Sequence, residues 1–139
     1  EISGDPIDPN SNIGTHPAVI LPADADTNMR FSIPIPSELQ QIVRAQMEVV
    51  FAAAGDIRRS VTTNWGKRCS TEHYDAFNDA IALGVVAVLA DDMVCLDISA
   101  ALDGVEASDR VGVEFFRDGD DVADTAGIAY YVGYRIQYV

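Results

Sequence analysis

Ile128-Ala129-Tyr130-Tyr131-Val132-Gly133-Tyr134-Arg135-Ile136-Gln137-Tyr138 is the stretch whose reading decides the fold class. Ile128, Tyr130, Val132, Tyr134, Ile136 and Tyr138 recur at every second position, alternating with Ala129, Tyr131, Gly133, Arg135 and Gln137. Side chains at that spacing cannot share one face of a helix, whereas in a strand they all point the same way. The β-branched and aromatic composition agrees. The first set is therefore expected to face a core. Just upstream, Arg110-Val111-Gly112-Val113-Glu114-Phe115-Phe116-Arg117 reads as a second strand, with Val111, Val113 and Phe115 on one face. An acidic connection, Asp118 to Ala126, joins the two. Together they predict a long antiparallel pair at the centre of a sheet.

Working outward, the same alternation recurs. Met29, Phe31, Ile33 and Ile35 share one face of a strand that Pro34 and Pro36 place at an edge or at its end. Val43, Ala45, Met47, Val49, Phe51 and Ala53 oppose Arg44, Gln46 and Glu48, which favours strand. A helix over residues 37–54, capped by Ser37, is the competing reading. After a turn at Gly55-Asp56, Ile57, Arg59, Val61, Thr63 and Trp65 alternate again. Gly66 to Asp79 reads as a long surface connection. Ile81 to Leu89 reads as a buried strand or a short helix, and Met93 to Ile98 as a strand ending in one helical turn at Ser99-Ala100-Ala101-Leu102. Seven or eight short strands at these spacings predict an all-β, antiparallel β-sandwich over residues 23–139. Residues 1–22 read differently. Glu1 to Thr15 holds only Ile2, Ile7 and Ile13 as large apolar residues. It predicts an extended N-terminal arm that orders against a neighbouring subunit, followed by a short edge strand fenced by Pro17 and Pro22. The absence of an initiator Met predicts a processed product.

Composition narrows the function. The net charge is −13, with sixteen Asp and six Glu against eight Arg and a single lysine, Lys67. Such a surface repels nucleic acid and anionic membranes, so neither is an expected partner. No apolar run approaches the roughly 20 residues a membrane-spanning helix needs. Two explanations fit the Asp-rich, Lys-poor surface, a GC-rich genome or adaptation to high salt, and the second predicts a fold that loosens as salt is removed. Cys69 and Cys95 have no metal-binding spacing, and Cys95, within Met93-Val94-Cys95-Leu96, reads as a small buried hydrophobe.

The motifs of hydrolases, metalloproteases and nucleotide-binding loops do not occur in the sequence, and no catalytic, cofactor-binding or metal-ligating residue is assigned. A Cys69–His73 pair lacks a third orienting group in sequence. Two acidic clusters carry enough oxygen for Ca2+. Asp24-Ala25-Asp26-Thr27-Asn28 matches the first ligand positions of an EF-hand loop but has Met29 and Ile35 where that loop needs Gly and Glu. Asp118-Gly119-Asp120-Asp121 with Asp124 is the other, and its simpler reading is a solvated turn. Tyr131 and Arg135, beside Ala129 and Gly133, are expected on the far face of the last strand, as a subunit contact, a sugar platform, or packing under another strand.

Leu96-Asp97-Ile98-Ser99, Leu102, Asp109-Arg110-Val111-Gly112-Val113 and Val132-Gly133-Tyr134-Arg135-Ile136-Gln137-Tyr138 resemble, in this order, the jelly-roll-like β-sandwich modules of tailed-virus particle proteins. Phe31-Ser32-Ile33-Pro34-Ile35-Pro36 fits their early strand. The resemblance implies a non-enzymatic structural protein on the virion surface, of decoration, fibre or spike type, whose partners are copies of itself, as a trimer, and other virion proteins. It carries over no catalytic residue. Two other readings stand beside it. One is a carbohydrate-binding module of a secreted protein, with Tyr131, Tyr74 and Trp65 as its aromatic candidates. The other is an extracellular filament subunit whose arm completes a neighbour's sheet.

Overall fold

The computed structural model describes residues 2–4 and 11–139, with side chains from residue 13 onward. Its strands are β1 (Ile2–Gly4), β2 (Ser11–Ile13), β3 (His16–Leu21), β4 (Asp26–Pro34), β5 (Ile42–Phe51), β6 (Gly55–Lys67), β7 (Phe77–Val88), β8 (Met93–Asp97), β9 (Asp109–Asp118) and β10 (Ala129–Tyr138). A 3-10 turn, Ser99–Ala101, sits where one helical turn is expected. One sheet runs β2-β3-β10-β5-β8, with β1 also paired to β10; the other runs β4-β9-β6-β7. All pairings between these strands are antiparallel. The chain is thus the all-β, antiparallel sandwich that its alternation predicts, and 42–51 is strand, not helix.

The two closing strands are extended and central, but they do not pair with each other. β9 lies between β4 and β6 in one sheet, and β10 lies beside β5 in the other. The acidic connection therefore crosses from sheet to sheet. Alternation records that one face of a strand is buried; it is blind to whether the neighbour is hydrogen-bonded beside it or faces it across the core.

Where the sheets face each other, Ile33, Met47, Val49, Phe51, Ile57, Val61, Phe115 and Ile136 are sealed from solvent. Phe31 of one sheet stacks on Tyr131 and Tyr134 of the other, with ring centroids 5.3 and 5.5 Å apart. Burial of this kind contributes roughly 1.5–3 kcal/mol for each large apolar side chain. Trp65 closes one end of the core and stacks on Phe77 at 6.2 Å.

Three expectations about buried faces change. In β10 the pairing with β5 slips between Tyr131, opposite Val49, and Gly133, opposite Glu48. That bulge inserts Val132 and reverses the phase of the strand. Ala129 and Tyr131 point inward before it, and Tyr134 and Ile136 after it. Ile128 is consequently 39% exposed, and Tyr130 lies across from Ile20 and Val50 on the outer face. The Tyr131–Arg135 surface patch does not form, because Tyr131 is buried. A second slip, at Gln137/Tyr138, exposes Val43 in the same way and turns Ile42 inward. Finally, 81–88 lies in strand β7 at the rim of its sheet, where Ile81, Val86 and Val88 pack on the core but Leu83 and Val85 are exposed, and Leu89 lies past the end of the strand.

The N-terminal residues that are described belong to the six-stranded sheet. β3 pairs with β10 through Val19, Ile20 and Leu21, and Ala18 and Leu21 are fully buried. β2 pairs with β3, and Ile2 lies opposite Ile136. The remainder of the expected arm, residues 1 and 5–10, lies outside the described residues.

Candidate functional site

The inward face of β9 continues past Phe115 to Arg117, because Arg117 is again two residues on. It is fully buried. Its Nη2 donates to Asp124 Oδ1 at 2.8 Å and its Nε to Asp124 Oδ2 at 3.1 Å, a two-pronged pair with both side chains out of solvent. Nη1 donates to the carbonyls of Leu21 (3.1 Å) and Gly127 (2.9 Å), and Nη2 to that of Ala126 (2.9 Å). Asp124 Oδ2 also accepts the Arg58 N–H at 3.0 Å. Thr125 and Ala126 donate their N–H groups to Asp56 O, at 2.7 and 3.0 Å. The crossover that reads as a solvated acidic turn is thus bolted to the core and to the start of β6. This arginine escapes a search for functional motifs. The signal for it is its phase, on the same face as Val111, Val113 and Phe115.

The bolt sorts the acidic residues. Asp124 is taken by Arg117, and Arg58 bridges Asp118 and Asp121. The antiparallel register of β4 and β9 sets Asp26 directly opposite Asp118. As a result Asp26, Asp118 and Asp120 bring carboxylate oxygens within 4.8 Å of one another. The two sequence clusters therefore converge through one member of the first and two of the second. The pKa of Asp26 is raised to about 6, by desolvation and by hydrogen bonding and repulsion from Asp120 and Asp118. Asp26 stays exposed, so we hold its acidic neighbours to be the decisive cause: three carboxylates at this distance do not all ionise freely. Chemically the trio can share a proton or offer oxygens to a hard cation. Ca2+ takes 6–8 oxygens at 2.3–2.6 Å, so carbonyls and water would complete its shell.

At the opposite end of β6, a cleft of about 590 Å³ is lined by Lys67, Arg68, Cys69, Tyr74 and Arg110. Arg68 is engaged there, donating to the Ile35 carbonyl at 2.7 Å. Cys69, His73 and Tyr74 are all exposed. Cys95 is exposed as well, contrary to its reading as a buried hydrophobe, because its position on β8 points to the solvent side. Of the three aromatics proposed for a sugar platform, Trp65 and Tyr131 are 3% and 2% exposed, while Tyr74 is 78% exposed. They form no common face.

The third feature is β7. Among the described residues it pairs with β6 on one side and ends the sheet on the other. Residues 80–90, Ala-Ile-Ala-Leu-Gly-Val-Val-Ala-Val-Leu-Ala, carry no charge. Leu83, Val85 and Leu89 are 42%, 48% and 63% exposed.

No family model, no curated protein and no solved structure matches this chain. The resemblance to tailed-virus modules rests on the sequence motifs alone.

Proposed function

We propose that the protein is a non-enzymatic structural subunit of a virus particle, an outward-facing decoration or fibre component that works as an assembly of copies. The observation that carries this reading is the segregation of its surface. A chain of net charge −13 keeps the run 80–90 uncharged and apolar, and its strand part, 80–88, lies at a sheet rim with Leu83 and Val85 exposed. Exposed strands of that kind are pairing surfaces, and soluble proteins ordinarily blunt them with charge or proline. The rest of the molecule suits an exterior position: a sandwich with a continuous core, and carboxylates that hold water and repel nucleic acid. The carbohydrate-binding reading is weakened by the burial of Trp65 and Tyr131, which leaves Tyr74 without partners for a sugar face.

The test is to purify particles from the source culture, quantify the chain in them by mass spectrometry, and label intact particles with antibody. A fixed copy number per particle and labelling of the outside are expected. A chain found only free of particles, or one that binds a glycan array through Tyr74, overturns the proposal.

A further inference from the structure

We infer that the free edge of β7 is closed by β7 of a second copy, antiparallel across a two-fold axis near Val85. This deepens the assembly reading and rests on it only for the premise that copies meet.

The sheet rims differ in how they are protected. β4 carries Asp26 and ends at Pro34, and β8 is only five residues long and ends at Asp97. β7 spans twelve residues, and beyond Asp79 it holds no charge and no proline. Its backbone N–H and C=O groups on the free side lie beside exposed Leu83 and Val85, which makes this rim the unprotected template.

Charge selects what covers it. Nucleic acid and anionic membranes are repelled by the −13 surface, and a basic partner finds no carboxylate along 80–90. A second copy approaching with most other faces would bring acids against apolar side chains. The surface matched to this strand is the same strand. Antiparallel pairing about Val85 lays 82–88 on 88–82, short of Ala90, which bridges to Phe51 of the other sheet, and leaves Asp79 and Asp91 outside the contact. The pairing of β6 with β7 slips between Arg59, opposite Gly84, and Val61, opposite Ile81. The bulge so formed at Ala82–Leu83 twists the strand locally, which puts the centre of contact on its C-terminal side, at Val85. The product is a continuous eight-stranded sheet. Because the contact is isologous, it closes at two copies and uses up the edge. A dimer replaces the trimer that the sequence resemblance implies.

Val85 lies on the axis and is exposed, so Val85→Glu and Val85→Lys put like charges against each other without touching the core. Sedimentation and native mass spectrometry of the wild type, each variant, and their equimolar mixture test the inference, with thermal melts to verify folding. The wild type is expected to be dimeric. Each variant alone is expected to dissociate with a constant at least about tenfold higher. The mixture is expected to recover a dimer made of one Glu and one Lys chain. A monomeric, trimeric or open-ended wild type overturns the inference, as do variants that dimerise like the wild type or a mixture without recovery. Its failure is separable from that of the functional reading. Dimers absent from particles end the virion proposal and leave this contact standing, whereas particle-bound monomers do the reverse.

Discussion

Asp124→Asn is the sharpest single test of how this sandwich is held. The substitution keeps the shape of the side chain and removes its charge, leaving the Arg117 guanidinium sealed from solvent with no counter-charge. Both Asp124 oxygens accept N–H bonds, so whichever way the new amide turns, its NH2 faces a donor. Breaking one member of a buried pair in this way costs about 3–5 kcal/mol. Against a total stability of about 5–15 kcal/mol, that is a large fraction. At roughly 4 °C per kcal/mol for a domain of this size, the melting temperature should fall by roughly 12–20 °C. Urea unfolding followed by the fluorescence of Trp65, the sole tryptophan, and by far-UV circular dichroism measures it. Glu114→Gln is the internal control. Its partner Arg30 lies 2.6 Å away, but the two side chains are 35% and 72% exposed, so the loss should stay below about 1 kcal/mol. Arg117→Met completes a cycle. It strands the carbonyls of Leu21, Ala126 and Gly127, yet leaves Asp124 its bond from the Arg58 N–H. The double variant should therefore fall short of the summed losses by at least about 1 kcal/mol. A loss under about 1 kcal/mol for Asp124→Asn, or strict additivity, refutes the reasoning.

Asp26 makes a prediction about pH. Its pKa is about 6 when folded against 3.8 for the free group. The folded state thus binds the proton more tightly, and the contribution of this residue to stability declines as pH rises from about 4 through about 6. Asp26→Asn should melt above the wild type at pH 7, with the gap closing toward pH 4; a gap independent of pH contradicts the shared-proton account. Salt tests the charge balance: with −13 to screen, and a Debye length falling from about 10 Å at 0.1 M to about 3 Å at 1 M, the melting temperature should climb across that range. An unchanged value ends the high-salt reading. Gly127→Ala tests the crossover, since an added Cβ would stand 2.6 Å from the Ala53 nitrogen. Overpacking of that kind should cost about 1–3 kcal/mol in urea titrations, and a neutral substitution would show that the loop is free to move.

The alternation of β4, β5, β6 and β9 names most of the core directly: Met29, Ile33, Ala45, Met47, Val49, Ile57, Val61, Val111, Val113 and Phe115 all point inward. Where the reading fails, the cause is a feature without a residue-type signature. A bulge at Val132 reverses the phase of β10, and only the register against β5 reveals it. Likewise 80–90 has the composition of a buried strand and the position of a rim, and composition does not encode position. The acidic clusters were visible as clusters, but their convergence through Asp26 and Asp118 depends on which strands pair. Arg117 was legible in principle. A charged residue in phase with three core positions, followed seven residues later by an acid, is the pattern of a buried pair.

The acid excess and the apolar rim are one device and not two. Repulsion between copies of charge −13 acts over the whole exterior, yet it is weak along this rim, where residues 80–90 carry no charge of either sign. Two molecules approaching at random are therefore turned away on most faces and admitted on one, and the admitted face can be satisfied once only, because an antiparallel self-contact consumes the edge it uses. Remove the acids, and the same rim becomes a site for indiscriminate strand addition. Add charge to the rim, and the acids keep every copy apart. On this view the salt dependence of association should run opposite to that of a contact between unlike charges. Dimers should strengthen as ionic strength rises, because screening removes the repulsion and leaves the apolar strand pairing intact. A dimer that weakens with added salt would mean that ion pairs, not an uncharged edge, hold the copies together.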